Sequence, residues 1–279
     1  MKTMQLLTDQ ILAHVIQPRP ANSYKGTFGR VLLVGGNQNF GGAIIMATMA
    51  AVHAGAGLVT TATDAVNLGS LHAQVPEAMF VNYHDKVQLS NLTSEADTIV
   101  IGPGLGDDFR SQEVLATVFA NTHPDQTVVI DGSAITMMAH QKITQPAGHL
   151  IYTPHQMEWQ RLSGIEIADQ TTTNNLAVQQ QLKATVVLKK HHTEIYEPTG
   201  QIYQLPLGTP AQATGGMGDT LAGIIGGFTA QFSDHQAAVL AAVYAHSAIA
   251  EELAETRYVV LPHQITEALP AFMQRYANQ

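Results

Sequence analysis

Short aliphatic runs recur along the chain. Each is followed by a turn-forming segment and most lead into a stretch with helical spacing. The strand-like runs are Val31–Val34, Leu58–Ala62, Ala78–Val81, Thr98–Ile101, Thr127–Ile130, His149–Tyr152, Thr185–Leu188, Glu194–Tyr196 and Ile202–Gln204. Several are unbroken Val/Ile/Leu runs, as expected of strands covered on both faces. The helix-like stretches are Ala43–Ala54, Gln112–Ala120, Gln156–Leu162, Asn175–Lys183, Met217–Phe232, Gln236–Glu255 and His263–Tyr276. This alternation predicts an α/β fold, a mostly parallel central sheet with helices on both faces, in one domain spanning residues 1–279. After Thr209 the helices follow one another without strands. The stretch Met217–Phe232 is apolar on nearly all sides, through Leu221, Ala222, Ile224, Ile225 and Phe228, which predicts burial against the sheet.

Composition narrows the classes. An apolar fraction of 45% over 279 residues can build a sizeable core, and 13% charged residues argue against disorder. A net charge of −9 argues against a nucleic-acid partner, because neutralising phosphates needs a basic surface. There is no cysteine, so disulfides, thiolate metal sites and cysteine nucleophiles are excluded. The uncharged stretch from Gly41 to Thr63 is long enough to span a bilayer. His53, its threonines and the Gly55-Ala56-Gly57 break instead read as a buried helix followed by a buried strand. The N-terminal residues do not read as a signal peptide. The expectation is a soluble cytoplasmic protein with no membrane partner.

Four segments carry candidate chemistry, and no internal repeat, P-loop, H-E-x-x-H or G-x-S-x-G motif competes with them. In Ala213-Thr214-Gly215-Gly216-Met217-Gly218-Asp219-Thr220, glycines allow close backbone approach, and the following helix points free N–H groups at an anion. Asp219 there reads either as a helix cap or as a base beside the anion loop Gly215, Gly216, Met217 and Gly218. Gly102-Pro103-Gly104-Leu105-Gly106 follows a strand and lies where α/β sheets bind ligands, although a tight turn explains it equally. In Thr153-Pro154-His155-Gln156-Met157-Glu158, His155 and Glu158 share one side of a helical turn; a capped helix start with both side chains solvated is the plainer alternative. In Leu188-Lys189-Lys190-His191-His192-Thr193, two lysines at a strand end suit a nucleotide, and a solvated hairpin turn is the alternative. The two histidines are a weak metal signal, because neighbouring side chains on a strand diverge.

Taken in order, and with Tyr24–Gly36 and the segments Gly42-Ala43 and Ala54–Thr60 added, these pieces resemble the ADP- or ATP-dependent NAD(P)H-hydrate dehydratase family along nearly the whole chain. The resemblance implies a ribokinase-like fold and a lyase that repairs hydrated NADH and NADPH. ADP would be co-substrate, Mg²⁺ would accompany it, and the assembly would be a homotetramer. Asp219 would be the catalytic base. Ala43, Gly106, His155 and Asp219 would contact the hydrate. Lys189, Lys190, His191, His192, Thr193 and Gly218 would contact the nucleotide, and Glu158 would assist the metal, directly or through water. The sequence departs from the family at Lys190, where a glycine is usual. Vitamin-precursor kinases of the hydroxyethylthiazole or hydroxymethylpyrimidine type share the fold and the terminal loop. They usually carry Asn where this chain has His155, and such a kinase is the alternative function. A nucleotide-binding regulator without turnover is a third, which the intact Asp219 loop argues against.

Overall fold

The computed structural model describes residues 4–141 and 143–277. Among them, one sheet runs through β1 (Gln5–Leu6), β2 (Arg30–Val34), β3 (Leu58–Thr63), β4 (Met79–Asn82), β5 (Thr98–Ile101), β6 (Thr127–Ile130), β7 (His149–Tyr152), β8 (Thr185–Leu188), β9 (Glu194–Tyr196) and β10 (Ile202–Gln204). Its order is β1-β10-β9-β8-β7-β6-β5-β2-β3-β4. From β8 across to β4 every pairing is parallel; β9 is antiparallel to both of its neighbours. The helices are α1 (Gln10–Val15), α2 (Gly41–His53), α3 (Leu68–Gln74), α4 (Lys86–Glu95), α5 (Phe109–Ala120), α6 (Gly132–Gln141), α7 (Gln156–Ser163), α8 (Thr172–Leu182), α9 (Met217–Gln231), α10 (His235–Ala254) and α11 (Pro262–Tyr276).

The two-residue period of a strand sends alternate side chains to opposite faces. Val31 and Leu33 of β2 therefore join Val100, Val129, Ile151 and Val187 in a core under α2, α9, α10 and α11. Leu32 and Val34 join Ile99, Ile101, Val128, Ile130 and Tyr152 in a second core under α4, α5, α6 and α7. With both faces filled, the central strands need no polar alternation. Helix α9 is buried along most of its length, between α2 and α10 and against β5 and β6, as its all-round apolar character predicts. Helix α10 is apolar and long enough to cross a membrane, but most of it is buried among α1, α9 and α11. The stretch Gly41–Thr63 forms α2 and β3, a helix and then a strand, as read from its composition.

Strand β1 and helices α1, α3, α4 and α6 have no counterpart among the elements read from the sequence. They are short or weakly patterned, and α4 exposes most of its surface. Their conformation is set by what they pack on: Leu12 of α1 and Leu71 of α3 insert into the first core, and Leu89 of α4 and Ile135 of α6 into the second. The important geometric consequence is that parallel strands end together. The segments after β2, β5, β6, β7 and β8 emerge side by side along one edge, where α/β sheets bind ligands.

Candidate active site

Those segments interlock through their backbones. The N–H of Gly36, after β2, donates to the carbonyl of Pro103, and that of Asn37 to Gly104 (2.9 and 2.7 Å). The Gly106 N–H donates to Ser133 Oγ at 3.0 Å. Ala43, in the first turn of α2, lies with its Cβ against Gly104, and Gly106 lies against the Asn37 side chain. The structure thus brings Ala43 and Gly106 together on one side of the strand ends.

His155 is the N-cap of α7. Its Nδ1 accepts the N–H groups of Met157 and Glu158 at 3.1 and 3.2 Å, which leaves the ring proton to Nε2. Glu158 completes a capping box: its Oε2 accepts the His155 N–H at 2.8 Å, while Oε1 lies 3.5 Å from His155 Nε2. The capped-start alternative therefore describes the local geometry, but Glu158 is buried rather than solvated. The imidazole stays about half exposed at the strand ends, with Nε2 near Glu158 Oε1.

The anion loop opens α9. Gly216 is the N-cap and holds φ 93°, in the left-handed region that a side chain disfavours. Asp219 is not a cap: it sits in the first helical turn, and the helix has no side-chain cap bond. Its carboxyl is pushed up to about 6, first by burial and then by the negative charge of Asp131, with Lys189 pulling the other way. A carboxylate so placed holds or releases a proton near neutrality.

Asp131, immediately after β6, lies in this cluster and was passed over by the motif reading. It is buried and accepts from Thr153 Oγ1 at 2.6 Å and from Lys189 Nζ at 2.8 Å. The signal was available: Asp131-Gly132-Ser133 follows a strand in the same way as Gly102-Pro103-Gly104. Burial alone would lower the Lys189 pKa; Asp131, Glu158 and Asp219 outweigh that and raise it, so it remains an ammonium. Its Nζ lies next to the anion loop, 2.9 Å from where a Cβ on Gly218 would stand. One part-buried cation thus stands among three carboxylates at the start of a helix whose dipole favours an anion.

Lys189 also ties the two halves together, since its N–H donates to the Pro154 carbonyl at 2.8 Å. The next residues form the hairpin loop between β8 and β9. Lys190 Nζ pairs with Glu194 at 2.7 Å. His191 and His192 do not diverge: their ring centroids are 3.9 Å apart, and His192 holds φ 59°. A cavity of about 520 Å³ opens beside this loop, bordered by Lys189, Lys190, His191, Thr193 and Gly218. The sequence reading missed its apolar wall, Leu207, Pro210 and Val243, and also His246, because these come from segments remote in sequence. His246 is buried, which pushes its pKa down to about 4 and keeps the ring neutral.

The chain as a whole is similar to known proteins. The family model described as NAD(P)H-hydrate dehydratase matches residues 31–271. A protein of Lactiplantibacillus plantarum named ADP-dependent (S)-NAD(P)H-hydrate dehydratase is 56% identical over 275 residues, 99% of each chain. A solved ribokinase-like superfamily protein of Enterococcus faecalis superposes with a TM-score of 0.96 at 49% identity, covering 99% of this chain and 97% of that one. An ADP/ATP-dependent NAD(P)H-hydrate dehydratase of Bacillus subtilis, co-crystallised with ATP and Mg²⁺, matches with a TM-score of 0.89 at 29% identity, over 99% of this chain and all of that one.

Proposed function

The chain belongs to the NAD(P)H-hydrate dehydratase family, and from that premise we propose that it restores NADH and NADPH from the S epimers of their hydrates, consuming ADP and releasing AMP and phosphate. The observation that carries the reading is the Asp219 carboxyl, raised to about 6 and within the field of part-buried Lys189 at a glycine-lined helix start. It pairs a proton acceptor with an anion cradle.

Hydroxide leaves poorly from the hydrated ring. In this mechanism Asp219 takes the proton of the ring hydroxyl, and the freed oxygen attacks the β-phosphorus of ADP. The bond to AMP breaks and AMP departs with its electron pair. The ring nitrogen's lone pair then expels phosphate, and loss of a proton from the adjacent carbon restores the dihydronicotinamide. Backbone N–H groups of Gly215 to Gly218 and the Lys189 ammonium oppose the charge on the phosphoryl group in flight. Ala43, Gly106 and His155 contact the hydrate, with His155 Nε2 as a donor. The loop from Lys189 to Thr193 and Gly218 contact the nucleotide.

Magnesium is expected with the nucleotide. Among the described residues no cluster of three or more His, Asp or Glu could hold a metal ion alone. Glu158 keeps Oε1 outside its capping bond. That donor set fits an ion held chiefly by phosphate oxygens and water, with Glu158 contributing directly or through water. When bound, the ion neutralises phosphate charge.

We place the enzyme in the cytoplasm as a homotetramer. The exposed apolar side chains of Tyr258, Val259 and Leu261, between α10 and α11, support self-association, which light scattering on purified protein tests. The deciding assay combines hydrated NADH, Mg²⁺ and either ADP or ATP. The expected result is recovery of reduced-nicotinamide absorbance with stoichiometric AMP and phosphate, faster with ADP. Accumulation of a stable phosphorylated alcohol without phosphate release would identify the vitamin-kinase alternative instead.

A further inference from the structure

A chain of buried hydrogen bonds leaves the hydrate side of the site and ends on the nucleotide loop. It starts at Trp159, one turn into the helix capped by His155, whose Nε1–H donates to Asn175 Oδ1 at 2.8 Å. Asn175 Nδ2 donates to Tyr196 Oη at 3.1 Å, and Tyr196 donates to Glu194 Oε2 at 2.5 Å. The remaining oxygen of Glu194 holds Lys190 Nζ at 2.7 Å. Trp159, Asn175 and Tyr196 are fully buried and Glu194 nearly so. Each polar atom along this path has a partner, so the carboxylate is fixed from both sides before it meets the lysine. Beyond Lys190 the loop needs such fixing. His192 holds a left-handed backbone conformation that a side chain disfavours, and such a conformation persists only where its surroundings determine it.

We propose that Lys190 is a positioning residue: its ammonium binds Glu194 rather than a phosphate, and the buried Trp159–Asn175–Tyr196–Glu194 chain locks the conformation in which residues 189–193 meet the nucleotide. This rests on the reading of that loop as the ADP site. A lysine reaching for phosphate and a lysine held by a carboxylate make opposite forecasts for Glu194. If Lys190 bound phosphate, removing Glu194 would free the ammonium and lower the local negative charge, so ADP would bind as well or better. With Lys190 as an anchor, removing Glu194 releases the loop.

The test is calorimetric ADP binding and steady-state kinetics of the wild type, Lys190→Met, Glu194→Gln and the double variant. Trp159, the chain's single tryptophan, serves as a fluorescence control that the core is intact. Glu194→Gln keeps the shape of the side chain and an acceptor for Tyr196. Both single variants should weaken ADP about ten-fold, in the range of coupled partners, with kcat nearly unchanged at saturating ADP. The double variant should be no worse than either single. Wild-type affinity in Glu194→Gln, or tighter binding, overturns the positioning role. So does a lower melting temperature without a change in ADP affinity. A wild type that binds no ADP removes the nucleotide reading on which the proposal rests, which is a separate and recognisable failure.

Discussion

Replacing Asp219 with Asn should stop turnover and, at neutral pH, make the protein more stable. Asp219 is not the N-cap of α9, and the Asn side-chain oxygen can accept from the same backbone N–H as the carboxylate does. What it removes is a carboxylate held out of water near Asp131. The folded-state pKa of about 6 lies above the ordinary 3.8, so between those values the folded protein holds a proton that the unfolded chain has released. The stability that this site contributes is fully present below about pH 4 and is lost as pH rises through about 6. About two pH units at ~1.4 kcal/mol each bound the cost at pH 7.5 at about 3 kcal/mol. At roughly 2–4 °C per kcal/mol for a chain near this size, Asp219→Asn should melt several degrees higher at pH 7.5, with the difference closing near pH 4. Turnover should fall roughly 10²–10⁴-fold, the usual loss for a general base. In the wild type, kcat/KM should fall on the acid side with a midpoint near 6, where Asp219 gains its proton. Thermal melts at several pH values and hydrate turnover on the same preparations decide the matter. A variant with near wild-type turnover would falsify the catalytic role, and one that melts lower at pH 7.5 would refute the burial argument.

Other perturbations separate the remaining roles. His155→Asn should keep the cap of α7 and the melting temperature while raising KM for the hydrate, whereas His155→Ala should also lose about 1 kcal/mol of stability; an unchanged hydrate KM in both would remove His155 from the substrate site. Asp131→Asn removes the negative charge that raises the Asp219 pKa, so the acid limb of kcat/KM should move to lower pH, and a limb that stays in place would count against the coupling. Trp159→Phe leaves Asn175 Oδ1 buried without its donor and should cost about 1–3 kcal/mol in denaturant melts; a loss below experimental error would mean that water or a rearrangement satisfies Asn175. A mixture of hydrate epimers should be consumed in one fast and one slow phase, the slow one set by spontaneous epimerisation, and a single fast phase with pure protein would contradict action on one epimer.

The sequence alone determined whatever depends on local period and local chemistry. Runs such as Thr98–Ile101 and Thr127–Ile130 identify strands because they are short, rich in β-branched residues and bounded by turn-forming segments, as strands covered on both faces are. The all-apolar stretch after Gly216 identifies a central helix, and the glycines before it the left-handed turn at its start, since both follow from neighbouring residues. Helices α1, α3, α4 and α6 were not legible, because their own patterns are weak and packing on the sheet decides them. In the site, tertiary structure decided every relation between residues far apart in sequence. Parallel strands brought Asp131 to Lys189 and both to Asp219, and that juxtaposition, with burial, is what raises the Asp219 pKa toward neutrality. It also attached Lys190, through Glu194, to a buried chain that begins at Trp159. Desolvation and charge coupling act through distance in space, and the parallel register of the sheet sets those distances.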